Sequence, residues 1–153
     1  MGNNMSGGRH SINFEDMQMA INSHQAINNE QNIYGKEKPL IINTLAAHQQ
    51  NCLIAGTLTI EREIEVLNTY LKKNKDVQLI IYGMNSSDET CAKKCEQLLK
   101  LGFYNVYIYG GGLFEWLLLQ DVYGADLFPT TAVNVDILKY KGRQKLNVKM
   151  LGN

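Results

Sequence analysis

From about residue 38 to residue 120, short β-rich apolar runs alternate with stretches of helical spacing. That alternation narrows the possible folds more than any other feature of the chain. Leu40-Ile-Ile42 follows Pro39 as a compact apolar run, and Leu53 to Leu58 forms a second, broken by Gly56. Ile60, Ile64, Leu67 and Leu71 fall at i, i+4, i+7 and i+11, which predicts an amphipathic helix. Val77-Gln-Leu-Ile-Ile-Tyr82 is too short and too β-rich for a helix and reads as a strand. Helical spacing returns with Cys91, Cys95, Leu98 and Leu99 and stops at Gly102, a C-cap residue. Val106-Tyr-Ile-Tyr109 is a further strand, ended by Gly110-Gly-Gly112, and Leu113 to Leu119 reads as a short buried helix carrying Trp116. Strands joined through helices pair in parallel with right-handed crossovers. An unbroken run such as Leu79-Ile-Ile81 suits a strand covered on both faces. The expected fold class is α/β, a small parallel sheet flanked by helices on both faces.

The flanks read differently. Residues 1–12 are Gly/Asn/Ser-rich and predict disorder. Asn13 predicts a helix N-cap ahead of Phe14, Met17 and Ile21, with Glu15 and Asp16 in the first turn. Residues 22–38, rich in Asn and Gln, read as a polar connection. At 153 residues the chain divides into a disordered segment 1–12, one domain over 13–124, and an extension 125–153 ending in a basic tail. Fifteen basic and fifteen acidic residues cancel, so no global field favours nucleic acid. Only Lys139, Lys141, Arg143, Lys145 and Lys149 break the balance. Three cysteines without paired spacing fit a reducing, cytoplasmic setting better than a disulfide framework. No stretch approaches the ~20 apolar residues of a membrane span, and the polar N-terminus does not look like a secretory signal.

Three stretches resemble the rhodanese-homology family in order and spacing. Leu53-Ile-Ala-Gly-Thr57 is similar to that family's His-Ile-Pro-Gly-Ala turn. Leu101-Gly-Phe-Tyr-Asn-Val-Tyr107 resembles its Gly-Phe-x-x-Val step, and Gly111-Gly-Leu-Phe-Glu-Trp116 its Gly-Gly-x-x-x-Trp signature. The resemblance implies a site at the C-terminal edge of the central strand. There a cysteine opens a loop whose backbone N–H groups cradle an anion at a helix N-terminus. Here that loop reads Tyr82-Gly83-Met84-Asn85-Ser86-Ser87-Asp88-Glu89. Gly83 stands where the nucleophile is expected, and the loop is one or two residues longer. Asp88 and Glu89 lie near a usual arginine, while Asn43 and Leu45 replace the usual aspartate and arginine after the first strand. Two carboxylates at the loop exit oppose an anionic sulfur donor. Their simpler role is a capping box over Ser86-Ser-Asp-Glu89, with the serine side chain on the Glu89 N–H.

The remaining chemistry-bearing residues have plain structural readings. Cys91 and Cys95 share one helical face that continues through Leu98, which points them at the core and away from a metal. No metal or other cofactor is expected. Cys52 reads as a surface or half-buried thiol, and His10, His24 and His48 are scattered. Gly110-Gly-Gly112 lacks the phosphate-loop pattern and reads as a tight turn. Phe114, Trp116, Leu118 and Tyr123, on a nearly uncharged helix, and the tail residues Lys139, Lys141, Arg143 and Lys145 are candidate partner contacts. Met1-Gly2-Asn-Asn-Met-Ser6 fits a myristoylation pattern at Gly2, with the basic tail as a second membrane signal.

The expectation is a catalytically inactive rhodanese-like domain that binds another protein or serves as a scaffold, with no nucleic-acid partner. Two alternatives stay open. One is a divergent sulfurtransferase or phosphatase-like enzyme using Cys91. The other is an adaptor that meets the membrane only if Gly2 is acylated.

Overall fold

The structure, a computed structural model, describes residues 10–29, 38–134 and 136–146, with residues 24–29 as backbone only. Four strands alternate with four helices: β1 (Ser11–Ile12), α1 (Phe14–Asn29), β2 (Leu40–Asn43), α2 (Ile60–Lys73), β3 (Leu79–Tyr82), α3 (Thr90–Leu101), β4 (Val106–Tyr109) and α4 (Gly112–Tyr123). The strands form one parallel sheet in the order β1-β4-β3-β2. Leu79 stands opposite both Leu40 and Val106, and Tyr82 opposite both Asn43 and Tyr109.

The period of two along each strand sorts side chains into two cores. Ile41, Ile80, Tyr82 and Tyr109 face α1 and α4, packing with Met17, Ile21, Leu113, Trp116 and Leu117. Leu40, Ile42, Leu79, Ile81 and Val106 face α2 and α3, packing with Leu67, Cys91, Cys95 and Leu98. β3, central and buried at every position, is the covered strand its composition predicts. The α/β class and its parallel sheet with helices on both faces are as the alternation indicates.

Local signals account for the helix ends. Asn13 Oδ1 accepts from the N–H groups of Glu15 (2.9 Å) and Asp16 (3.1 Å), while Asp16 Oδ2 accepts from the Asn13 N–H at 3.1 Å. This reciprocal cap satisfies donors that the first turn leaves open. Gly102 ends α3 with φ 117°, a left-handed conformation.

The structure corrects the sequence reading at three places and fills in two that it left open. Ser11–Ile12, expected to be disordered, pair with β4, and the Ile108 N–H donates to the His10 carbonyl at 2.7 Å. The open edge of β4 captures a backbone whose side chains have little to bury. α1 runs to Asn29, into the stretch read as a polar connection. Its Asn/Gln composition hides a helix nucleated by the cap and the apolar face before it. Leu53 to Leu58, an apolar run without an assigned element, forms only single bridges, Ile41 to Thr57 and Ile54 to Thr130. α2 is rotated relative to its apparent stripe, leaving Ile64 71% exposed while Glu63 and Leu67 are buried. Glu63 can be buried because Lys94 of α3 forms an ion pair with its carboxylate. Finally, the extension folds back on the domain: Phe128 and Tyr140 lie in the α1–α4 core. Phe128 packs on Trp116 and Phe14 with ring centroids 5.0 and 5.7 Å away. The Trp116 indole N–H donates to the Pro129 carbonyl at 3.1 Å.

No helix among the described residues is long and apolar enough to cross a membrane.

Candidate functional site

Parallel sheets place ligand sites beyond the carboxyl ends of their strands. Here that edge is built from Asn43 at the end of β2 with Thr44 and Leu45, the loop 83–89 after β3, and the start of α4. Tyr82, the last residue of β3, is fully buried; its hydroxyl accepts from the Ile54 N–H (3.1 Å) and lies 2.8 Å from the Thr57 hydroxyl. The Leu53–Thr57 turn is thereby pinned beneath the site. Burial pushes the Tyr82 phenol well above its usual range, so it stays a neutral structural group.

Gly83 follows, and there is no room for a side chain on it. A Cβ built there would lie 2.5 Å from Asp88 Oδ2 and 2.9 Å from Thr44 Oγ1. Both oxygens are held in place. Asp88 Oδ2 accepts from the Met84 N–H at 2.9 Å. Asp88 Oδ1 accepts from the Thr90 N–H at 3.0 Å and from the Thr90 hydroxyl at 2.6 Å. The Thr90 hydroxyl is also 2.7 Å from Thr44 Oγ1. Partial burial by itself would raise the Asp88 carboxyl, but the bonds from Met84 and Thr90 outweigh it and hold the carboxyl below its ordinary value. The loop thus encloses a carboxylate of its own.

Asn85 and the N–H groups of Ser87 and Asp88 are committed as well. Asn85 Oδ1 accepts from the Ser87 N–H at 2.9 Å, and the Asp88 N–H donates to the Asn85 carbonyl at 3.2 Å. In the first turn of α4, the N–H groups of Leu113 and Phe114 donate to the carbonyls of Gly83 and Met84, each at 2.9 Å. That junction is possible because residue 112 is glycine. Its φ is +69°, and a Cβ would meet the Asn85 nitrogen at 2.8 Å and the Gly83 oxygen at 2.9 Å. At the end of β2, Asn43 is buried, accepting from the Leu45 N–H (3.0 Å) and the Gln50 side chain (2.7 Å), and Leu45 turns into the core.

The extension closes over the same loop. The Asn85 side-chain amide donates to the Tyr140 carbonyl at 2.9 Å, and the Tyr140 hydroxyl accepts from Asn134 at 3.0 Å. Gly142 passes so near that a Cβ on it would lie 3.4 Å from the Ser87 hydroxyl. Lys141 and Arg143, which flank it, are exposed.

The family model of the rhodanese-like domain matches residues 11–119. The chain belongs to the rhodanese-like domain family. Solved structures agree on the fold. The Alr3790 protein from Anabaena sp. superposes with a TM-score of 0.53 at 19% identity, covering 84% of this chain and 97% of that one. The solution structure of the rhodanese-like domain of Alr3790 gives 0.51 at 17% identity, covering 91% and 95%. A full-length protein from Lactobacillus plantarum gives 0.52 at 12% identity, covering 81% and 88%. No curated protein matches the sequence.

Against the rhodanese-like frame, the sequence-predicted residues divide clearly. Gly83 and the 84–89 loop sit where the family's site is expected, but the cap of α3 is Asp88. Glu89 occupies the N-cap position without a side-chain cap bond. The expected serine box gives way because Asp88 reaches both Met84 and Thr90. Cys52, expected at or near the surface, is 1% exposed behind the extension, and its thiol faces the Ala132 carbonyl at 3.4 Å. Cys91 and Cys95 are buried, and burial raises all three thiols, Cys91 to about 11. Trp116 is a core residue and not a contact residue, whereas Leu118 and Tyr123 are 43% and 62% exposed and Phe114 is partly buried. Lys139, Lys141, Arg143 and Lys145 are exposed; Gly2 and Lys149 lie outside the described residues. Among the described residues no group of three or more potential ligands is placed to hold a metal. Thr44, Thr90 and Tyr140 were missed as site-forming residues, because only the fold brings them to the loop.

Proposed function

We propose that this rhodanese-like domain performs no sulfur transfer and acts as a module that binds another protein. The observation that carries the reading is Asp88. Its carboxylate lies where a side chain on residue 83 would project, and it accepts the N–H of Met84 that would otherwise face an incoming anion. A persulfide carrier needs a thiolate exposed to donor and acceptor and a field that favours negative charge. Here residue 83 has no thiol, the site's resident charge is negative, and the extension lies over the loop. Cys91 makes a poor replacement nucleophile. It is 6% exposed, it sits 3.8 Å from the Thr44 hydroxyl, and its thiol is pushed up to about 11 by burial and by the nearby Asp88. With the chemistry gone, what the surface offers is the loop edge at Ser86 and Ser87, the Leu118–Tyr123 end of α4, and the basic side chains of the extension.

Sulfur transfer from thiosulfate to cyanide, measured on the full chain and on Cys91→Ser, tests the catalytic half. The rate is expected to match the protein-free rate for both, and turnover abolished by Cys91→Ser would sink the reading. For the binding half, affinity capture should recover a partner that is lost with Lys141→Glu/Arg143→Glu/Lys145→Glu. Equal recovery with that variant would exclude the extension as the contact.

A further inference from the structure

The balanced overall charge conceals two surfaces of opposite sign. α1, α4 and residues 124–129 contain no lysine or arginine, yet they carry the exposed carboxylates Glu15, Asp16, Asp121 and Asp126. α1 and α4 pack on the same side of the sheet. The Gln18 side-chain amide donates to the Leu127 carbonyl at 2.8 Å, which draws the loop after α4 against α1. Between them lies a cleft of about 360 Å³ lined by Glu15, Gln18, Met19, Asn22, Asp126 and Leu127, among others. Its apolar side chains stand in water: Met19 is 69% and Leu127 56% exposed, with Tyr123 at 62% on the neighbouring helix end. Large apolar groups beside carboxylates suit an occupant that combines cations with apolar surface.

The chain contains such a segment. After Tyr140, which is fully buried and fixes the start of the segment on the domain, Lys141, Arg143 and Lys145 are exposed and Leu146 is 80% exposed. No acidic residue follows Asp136. We propose that the acid-rimmed cleft of one copy receives residues 141–146 of a second copy. The lysine and arginine heads meet Glu15 and Asp126, and Leu146 covers Met19 and Leu127. Donor and acceptor surfaces differ, so the contact is head-to-tail and propagates from copy to copy or closes into a ring. Exposed ion pairs are screened by salt, so assembly weakens as ionic strength rises. The proposal holds whether or not the loop at Gly83 carries chemistry.

Sedimentation velocity of the full chain over a concentration series decides it. At low ionic strength the average mass rises with concentration, and high salt returns it to the monomer. Glu15→Lys/Asp126→Lys and Lys141→Glu/Arg143→Glu/Lys145→Glu each sediment as monomers with unchanged circular dichroism, and mixing the two restores association. A monomer at every concentration in low salt overturns the proposal, whether the segment docks on its own domain or on a foreign chain. Association that survives in both variants overturns it as well.

Discussion

At residue 83 an added Cβ would lie 2.5 Å from Asp88 Oδ2 and 2.9 Å from Thr44 Oγ1, so the turn closes on a glycine. That a glycine follows the β-rich run ending at Tyr82 was legible in the sequence. That Asp88 turns back to fill the space was not legible, since a serine box and an aspartate cap have the same composition and differ only in loop geometry. Replacing Asp88 with alanine removes the acceptor for Met84 and Thr90 and costs about 1 kcal/mol by denaturant titration, as for other caps. Gly83→Cys overpacks against Asp88 and Thr44 and costs roughly 1–3 kcal/mol. Adding Asp88→Ala to Gly83→Cys recovers part of that cost, whereas strictly additive losses would contradict the packing. Asp88 also gives a pH signature. Its folded carboxyl is held below the ordinary value, so its stabilisation is present above the unfolded value of about 4 and is lost as pH falls through the lower, folded one. Acid titration of stability in the wild type should therefore fall more steeply below about pH 4 than in Asp88→Ala. Parallel acid limbs would show that the carboxylate is not held by these bonds.

At the scale of elements, periodicity revealed the strands and helices but misjudged the buried face of α2. The α2 stripe read from Ile60 and Ile64 is displaced toward Glu63 and Leu67, because an ion pair with Lys94 permits a buried carboxylate that no hydrophobic pattern can announce. Whether the extension folds on the domain stayed open in the sequence for a similar reason. Phe128 and Tyr140 are single aromatics in stretches without helix or strand periodicity, and nothing local shows that each completes a core built by distant elements. Their burial makes the extension an integral layer. Tyr140→Ala removes a fully buried ring, comparable to large-to-small aromatic replacements that cost about 3–5 kcal/mol. It also loosens the extension from the loop, read as faster amide exchange in residues 83–89. A chain ending at residue 119, the limit of the family match, should lose the cooperative melt, because it leaves Trp116 without Phe128 and Pro129. An unchanged melt for that truncation would mean the extension is only draped on the surface.

For the whole molecule, the alternation of runs foretold a parallel α/β sheet, and the sheet is there. The two cores share β3, and the extension is tied into one of them, so the chain should unfold as a unit. Trp116 fluorescence and far-ultraviolet circular dichroism are expected to report coincident transitions, and an earlier fluorescence change would place the extension in a separate unit. Net charge, by contrast, was misleading at this scale, since a sum of zero says nothing of its division between the α1–α4 face and the extension. The central claim is the proposed loss of sulfur transfer, argued from the Asp88 carboxylate that fills the space beside residue 83 and from the burial of the three thiols. Intact mass of the native chain after incubation with thiosulfate or a persulfide donor tests it most directly. The mass should remain unchanged until the protein is denatured, and the gain of a sulfur atom on Cys91 in the native state would contradict it.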